Sequence, residues 1–138
     1  MKYSMVVLLL LTFQASATIN AEQPKYANHP IIGTWTYIKN GCAETYTFTQ
    51  NGIRISTSRD EIVKAKYDVK TISKEKEIYL VRDEVLEDNG KADCSGSTEK
   101  MIGDIIVILL HIQDNPKRFS FCFDKELKEC VGPFIKKK

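Results

Sequence analysis

Histidine is scarce, with two residues in the whole chain, His29 and His111, far apart in sequence. The cysteines form no Cys-x-x-C motif, and no two of them stand close together. Zinc sites of the usual ligand spacing and dithiol redox chemistry are therefore weaker readings of the cysteines than disulfides. There is no Gly-x-Ser-x-Gly elbow and no helix-period segment of useful length after the first residues. Strong charge of one sign is also lacking: 20 basic residues face 18 acidic ones. A nucleic-acid binder driven by a general positive field is not expected. The chain has no internal repeat, no interdomain linker and no apolar run approaching the ~20 residues of a membrane-spanning helix.

The first residues have the order of an export leader. Lys2 is followed by an apolar stretch from Met5 to Phe13, and then by small residues at Ala15-Ser16-Ala17, with Ala21 as a second cleavage position. That order predicts a signal peptide within residues 1–21, cut after Ala17 or Ala21. No cysteine follows the apolar run, so a lipid anchor is not indicated. A soluble, extracytoplasmic protein, periplasmic or secreted, is expected, with residues 22–138 as a single domain. Cys42, Cys94, Cys122 and Cys130 all fall in this part, and an even count in a short exported chain predicts two disulfides. Lys136 to Lys138 read as a solvated end.

From Ile31 onward the pattern is short β-like runs separated by turns. Tyr46 and Phe48 alternate with threonines, and Asn51-Gly52 then signals a hairpin. Ala65, Tyr67 and Val69 alternate with charged residues. Ile105 to Leu110 is a continuous apolar run that suits a strand covered on both faces. Glu87 to Thr98 reads as a long loop, Asn115-Pro116 as a turn, and Phe119 and Phe121 alternate with Ser120 and Cys122. The fold expected is all-β: an antiparallel up-and-down barrel of about eight strands, with a two-sheet sandwich as the alternative.

Gly33-Thr34-Trp35 opens the first strand. With Tyr46-x-Phe48, the Asn51-Gly52 turn and a Tyr67-containing strand behind it, the chain resembles the lipocalins, and in particular small bacterial exported proteins of lipocalin-like (calycin-type) character. The resemblance implies a barrel whose base is closed by Trp35, packed against an arginine from a late strand. Arg118 is the candidate for that arginine, and Gly33, Trp35 and Arg118 are structural residues of the base. The chain is shorter than a typical lipocalin and shows no helix before its last strand.

Following a meander from Trp35 brings all four cysteines towards the end opposite the tryptophan. Cys122–Cys130 would close a hairpin, leaving Cys42–Cys94; Cys94–Cys122 with Cys42–Cys130 is the alternative. Catalytic candidates are weak. His111 near Asp114 lacks an identified nucleophile, and Asp83-Glu84 should point to opposite faces of a strand. Glu87, Asp88 and Asp93 lack the spacing of a calcium loop. Tyr46, Phe48, Tyr67 and Phe121 should face inward, either as core or as the wall of a pocket for a small apolar ligand. The function expected is a non-enzymatic binding module without cofactor or metal, monomeric, with binding at the disulfide-bearing end. The alternative is an interaction or inhibitor protein that engages a protein partner through its rim loops.

Overall fold

The computed structural model describes residues 24–114 and 117–138. They form eight antiparallel strands in sequence order: β1 (Gly33–Lys39), β2 (Cys42–Phe48), β3 (Ile53–Ser58), β4 (Glu61–Ser73), β5 (Ile78–Asp88), β6 (Ile105–Asp114), β7 (Lys117–Cys122) and β8 (Cys130–Lys136). Each pairs with the next, and β8 returns to β1 through Trp35 opposite Lys136 and Thr36 opposite Ile135, closing an up-and-down barrel. Closure removes the free edges that a sandwich would leave. The expected leader in residues 1–21 and the Asn115-Pro116 turn lie outside the described residues.

Two Asn-Gly pairs shape the first three strands in different ways. Asn40 and Gly41 both take positive φ, at 52° and 76°, and form the two-residue loop between Lys39 and Cys42. This is the primed turn whose twist suits a hairpin. Asn51-Gly52 sits instead in a three-residue loop, where only Gly52 is left-handed, with φ 81°. There the Gly52 amide donates to the Thr49 carbonyl at 3.2 Å, and the Thr49 amide donates to Ile53 at 2.9 Å. The loop places Arg54 opposite Phe48.

One end of the barrel is solid. Trp35, Phe48, Tyr67, Leu110, Phe119 and Phe134 are buried together, with Ile31 from the irregular lead-in beneath them. The Trp35 indole N–H donates to the Ile31 carbonyl at 2.8 Å, and its ring meets Phe119 edge-on at 5.0 Å. Tyr26 stacks on Tyr67 at 5.1 Å and His29 meets Tyr79 at 4.8 Å, so the lead-in plugs the base. Large rings fill a barrel of eight strands, as its narrow bore dictates.

The cation at Trp35 is Lys136 rather than Arg118. Its ammonium lies 5.1 Å from the indole ring, and the Lys137 amide bonds the Thr34 carbonyl at 2.8 Å. The strand alternation explains the exchange. Phe119 points inward, so its neighbour Arg118 points out, where its Nε donates to Gln113 Oε1 at 2.6 Å. Lys136 therefore belongs to the base and not to a frayed tail. Gly33 makes room for it: a Cβ there would come within 2.8 Å of Lys136 Cε, and φ at Gly33 is +126°. Gly33→Ala is expected to displace the lysine and strain the backbone, with a loss of stability of about 1–3 kcal/mol. A urea midpoint identical to that of the parent chain would contradict this role for Gly33.

β6 also differs from expectation. Leu110 is buried, Ile108 and the 36%-exposed Ile106 line the hollow of the bore, and Ile105 and Val107 are each 56% exposed. A barrel wall is one layer thick, so an apolar run along it is dry on one face only.

Candidate functional site

The opposite end, the rim, carries the 39–42, 58–61, 88–105 and 122–130 connections. Cys42 is bonded to Cys94 and Cys122 to Cys130, both at this end. Two disulfides suit an oxidising, extracytoplasmic environment. The loop of residues 89–104 folds over the mouth and is held by more than its cysteine. The Cys94 amide donates to Ser58 Oγ at 3.0 Å. Asp88 accepts from the Gly90 amide at 2.7 Å and the Met101 amide at 3.0 Å. Asp93 accepts from the Ser95 and Ser97 amides, both at 2.8 Å. These carboxylates serve loop geometry, and among the described residues no cluster of three metal-ligating side chains occurs.

Beneath this loop the barrel is hollow. A cavity of about 240 Å³ is lined by Glu44 and Tyr46 from β2, Arg54, Ser56 and Ser58 from β3, Glu61 and Val63 from β4, Asp83 from β5, Ile106 and Ile108 from β6, and Phe121 from β7, with Asp93 and Met101 from the loop. The hollow follows from side-chain size. Ser56 and Ser58 stand opposite Tyr46 and Glu44 in the β2–β3 register and fill little of the bore.

At the floor of the cavity lies a buried ion pair. Arg54 is 4% exposed and Asp83 is 8% exposed. Arg54 Nε donates to Asp83 Oδ2 at 2.6 Å, and Nη1 donates to Ser56 Oγ at 2.5 Å. The guanidinium also lies 5.4 Å from the centre of the Tyr46 ring. Asp83 Oδ1 is buried with no hydrogen-bond partner. Burial pushes the Asp83 carboxyl above its usual range, and Arg54 offsets only part of that. Burial likewise raises the Tyr46 phenol to about 12.

Glu44 and Glu61 lie nearer the mouth. Burial raises Glu44, with Asp93 adding repulsion. Burial raises Glu61 as well, reinforced by Asp88, Asp93 and Glu44. A carboxyl raised in the folded state binds its proton more tightly there than when unfolded. Its stabilising contribution is complete below the ordinary carboxylate range and is lost as pH rises through the raised value. Glu44→Gln combined with Glu61→Gln is therefore expected to raise the urea midpoint at pH 7, with the advantage vanishing by pH 4. A double variant less stable than the parent at pH 7 would contradict that sign.

Among the residues singled out from sequence, Tyr46 and Phe121 line the cavity, with ring centres 5.1 Å apart. Phe48 and Tyr67 belong to the solid base. Glu84 faces away from Asp83 and approaches Arg82 at 3.9 Å. His111 stands opposite Ser120 across β6–β7. The Arg54–Asp83 pair, Glu44, Glu61 and the two serines were not anticipated as a group.

Fold and site together describe a closed eight-stranded barrel with a packed base and a polar, roofed cavity. Comparison with protein-family models, with curated proteins and with solved structures finds no match. The barrel is compatible with a lipocalin-like fold.

Proposed function

We propose that this chain is a non-enzymatic, extracytoplasmic binding module of lipocalin-like type whose rim-side cavity holds a small polar molecule. The carrying observation is the 240 Å³ hollow with a buried, hydrogen-bonded ion pair on its floor. A packed barrel has no need of such a pair, since well-packed apolar residues of similar volume are commonly as stable or more so. The volume lies below the ~300–1,000 Å³ of common ligand pockets, so the molecule is small. The aromatic residues alone lead to an apolar ligand; the polar groups that share this wall favour a polar one. The leader, with its cut after Ala17 or Ala21, belongs to this reading as the route out of the cytoplasm.

A second reading, a protein partner at the rim, draws on Phe123 and Ile38, which are 68% and 67% exposed. Native mass spectrometry of protein purified from its natural compartment separates the two. The first reading expects a retained small molecule that is lost on unfolding. A bare chain that instead copurifies with a stoichiometric protein would overturn it.

A further inference from the structure

We infer that the molecule held in the cavity carries a cationic nitrogen, an ammonium or a guanidinium, recognised by Glu44, Glu61 and Asp83. This rests on reading the cavity as a binding site, and three observations support it.

The wall is unbalanced in charge. Glu44, Glu61, Asp83 and Asp93 line the cavity, and Arg54 is the cation among its lining residues. Arg54 is already engaged by Asp83 and Ser56 and lies against the Tyr46 ring, so its charge is not presented to an incoming anion. An anionic ligand would meet the remaining carboxylates without compensation.

The unmet hydrogen-bonding capacity is of one kind. Asp83 lines the cavity and is 8% exposed, yet its Oδ1 has no partner. An ionised carboxylate only accepts hydrogen bonds, so the missing component is a donor. An ammonium brings three donors and a guanidinium five, each charge-assisted against a carboxylate. A bare metal ion fits less well, because the described residues bring no three ligating side chains together.

The wall also suits an organic cation. Phe121 and Tyr46 present ring surface to the cavity, beside Ile106 and Ile108, which would cover the carbon skeleton attached to such a nitrogen. Glu44 and Glu61 are held above their usual range by burial and by neighbouring carboxylates, and a bound positive charge would oppose the carboxylate repulsion.

Binding should then weaken on acidification. The groups that face the cation are Glu44 on β2, Arg54 on β3, Glu61 on β4, Asp83 on β5 and Asp93 on the loop, with Lys39 on β1 acting on Glu44 and Asp88 on Glu61. Protonating the raised carboxyls removes the attraction.

The test is an NMR titration of the disulfide-intact protein with four probes sharing one carbon chain: butylammonium, butylguanidinium, butanol and butyrate. The cations are expected to give saturable shifts at Glu44, Ser56, Glu61 and Asp83, and the other two probes none. Affinity should fall tenfold or more in Glu44→Gln and in Glu61→Gln, which keep the side-chain volume, and again between pH 7.5 and pH 4.5. Butyrate or butanol binding at these residues as tightly as the cations would overturn the inference while leaving the cavity a binding site. No saturable shift from any of the four would overturn both.

Discussion

Arg54→Met should lower the stability of the fold by about 3–5 kcal/mol at neutral pH, because it leaves the Asp83 carboxylate buried and uncompensated. The geometry makes the loss large. Both partners are buried, and Arg54 reaches Asp83 Oδ2 at 2.6 Å from the neighbouring face of the bore. Asp83 Oδ1 already lacks a partner, so no second donor takes over. Burial already lifts the Asp83 carboxyl, and removing Arg54 lifts it further. The variant should therefore recover stability as pH falls and Asp83 takes up a proton. Adding Asp83→Leu should restore most of the loss at pH 7, since the pair is then replaced by apolar groups. Urea denaturation of the two single variants and the double variant measures the coupling. A single variant that loses less than about 1 kcal/mol would show that the pair is solvated and the cavity open to bulk water.

The second large effect concerns the loop roof. Removing Cys42–Cys94 by serine substitution should cost about 4 kcal/mol, because the bridge closes a loop with a sequence separation of 52 residues. Removing Cys122–Cys130, with a separation of 8, should cost about 2.5 kcal/mol on the same chain-entropy argument. The two losses should also differ in place. Without Cys42–Cys94, the loop of residues 89–104 keeps its contacts at Ser58, Asp60 and Asp88 but loses its covalent tie to the first hairpin. Amide exchange in that loop should accelerate well beyond the global change, and with it the cavity should open. Uniform acceleration across the barrel would mean that the bridge stabilises the fold without holding the roof.

Much of the fold was legible in the chain because an up-and-down barrel is written in local terms. Period-2 alternation, short turns and an even cysteine count give strand order, closure and the region where the cysteines meet. Parity was harder. Ile53 and Ile55 have the composition of inward residues, yet they face out, and Arg54, Ser56 and Ser58 face in. The three-residue loop at Gln50-Asn51-Gly52 decides this. It sets Arg54 opposite Phe48, and Phe48 is already committed to the core. A change of one residue in that loop would have put the isoleucines inside and left no cavity of this kind. The signal was therefore present, but it lay in the loop length and not in hydrophobicity.

The same reasoning applies to Asp83. It continues the inward series Tyr79, Val81, Val85 on β5 and is polar in an otherwise apolar file. A lone acid in such a file marks a partnered or functional position, and the arginine that pairs with it comes from a strand almost thirty residues earlier. Sequence distance hid the partner. Lys136 escaped notice for a related reason, since a terminal run of lysines is usually solvated, and only closure of β8 onto β1 brings it over Trp35.

The central claim, that the rim-side cavity is where this protein binds, is tested most directly by methyl NMR on protein from its natural compartment, before and after unfolding and refolding. Loss of the bound molecule should shift the methyl signals of Met101, Ile106 and Ile108, which line the cavity, and leave those of Leu110 and Ile112 in the base unchanged. Identical spectra before and after, or shifts confined to the base, would contradict it.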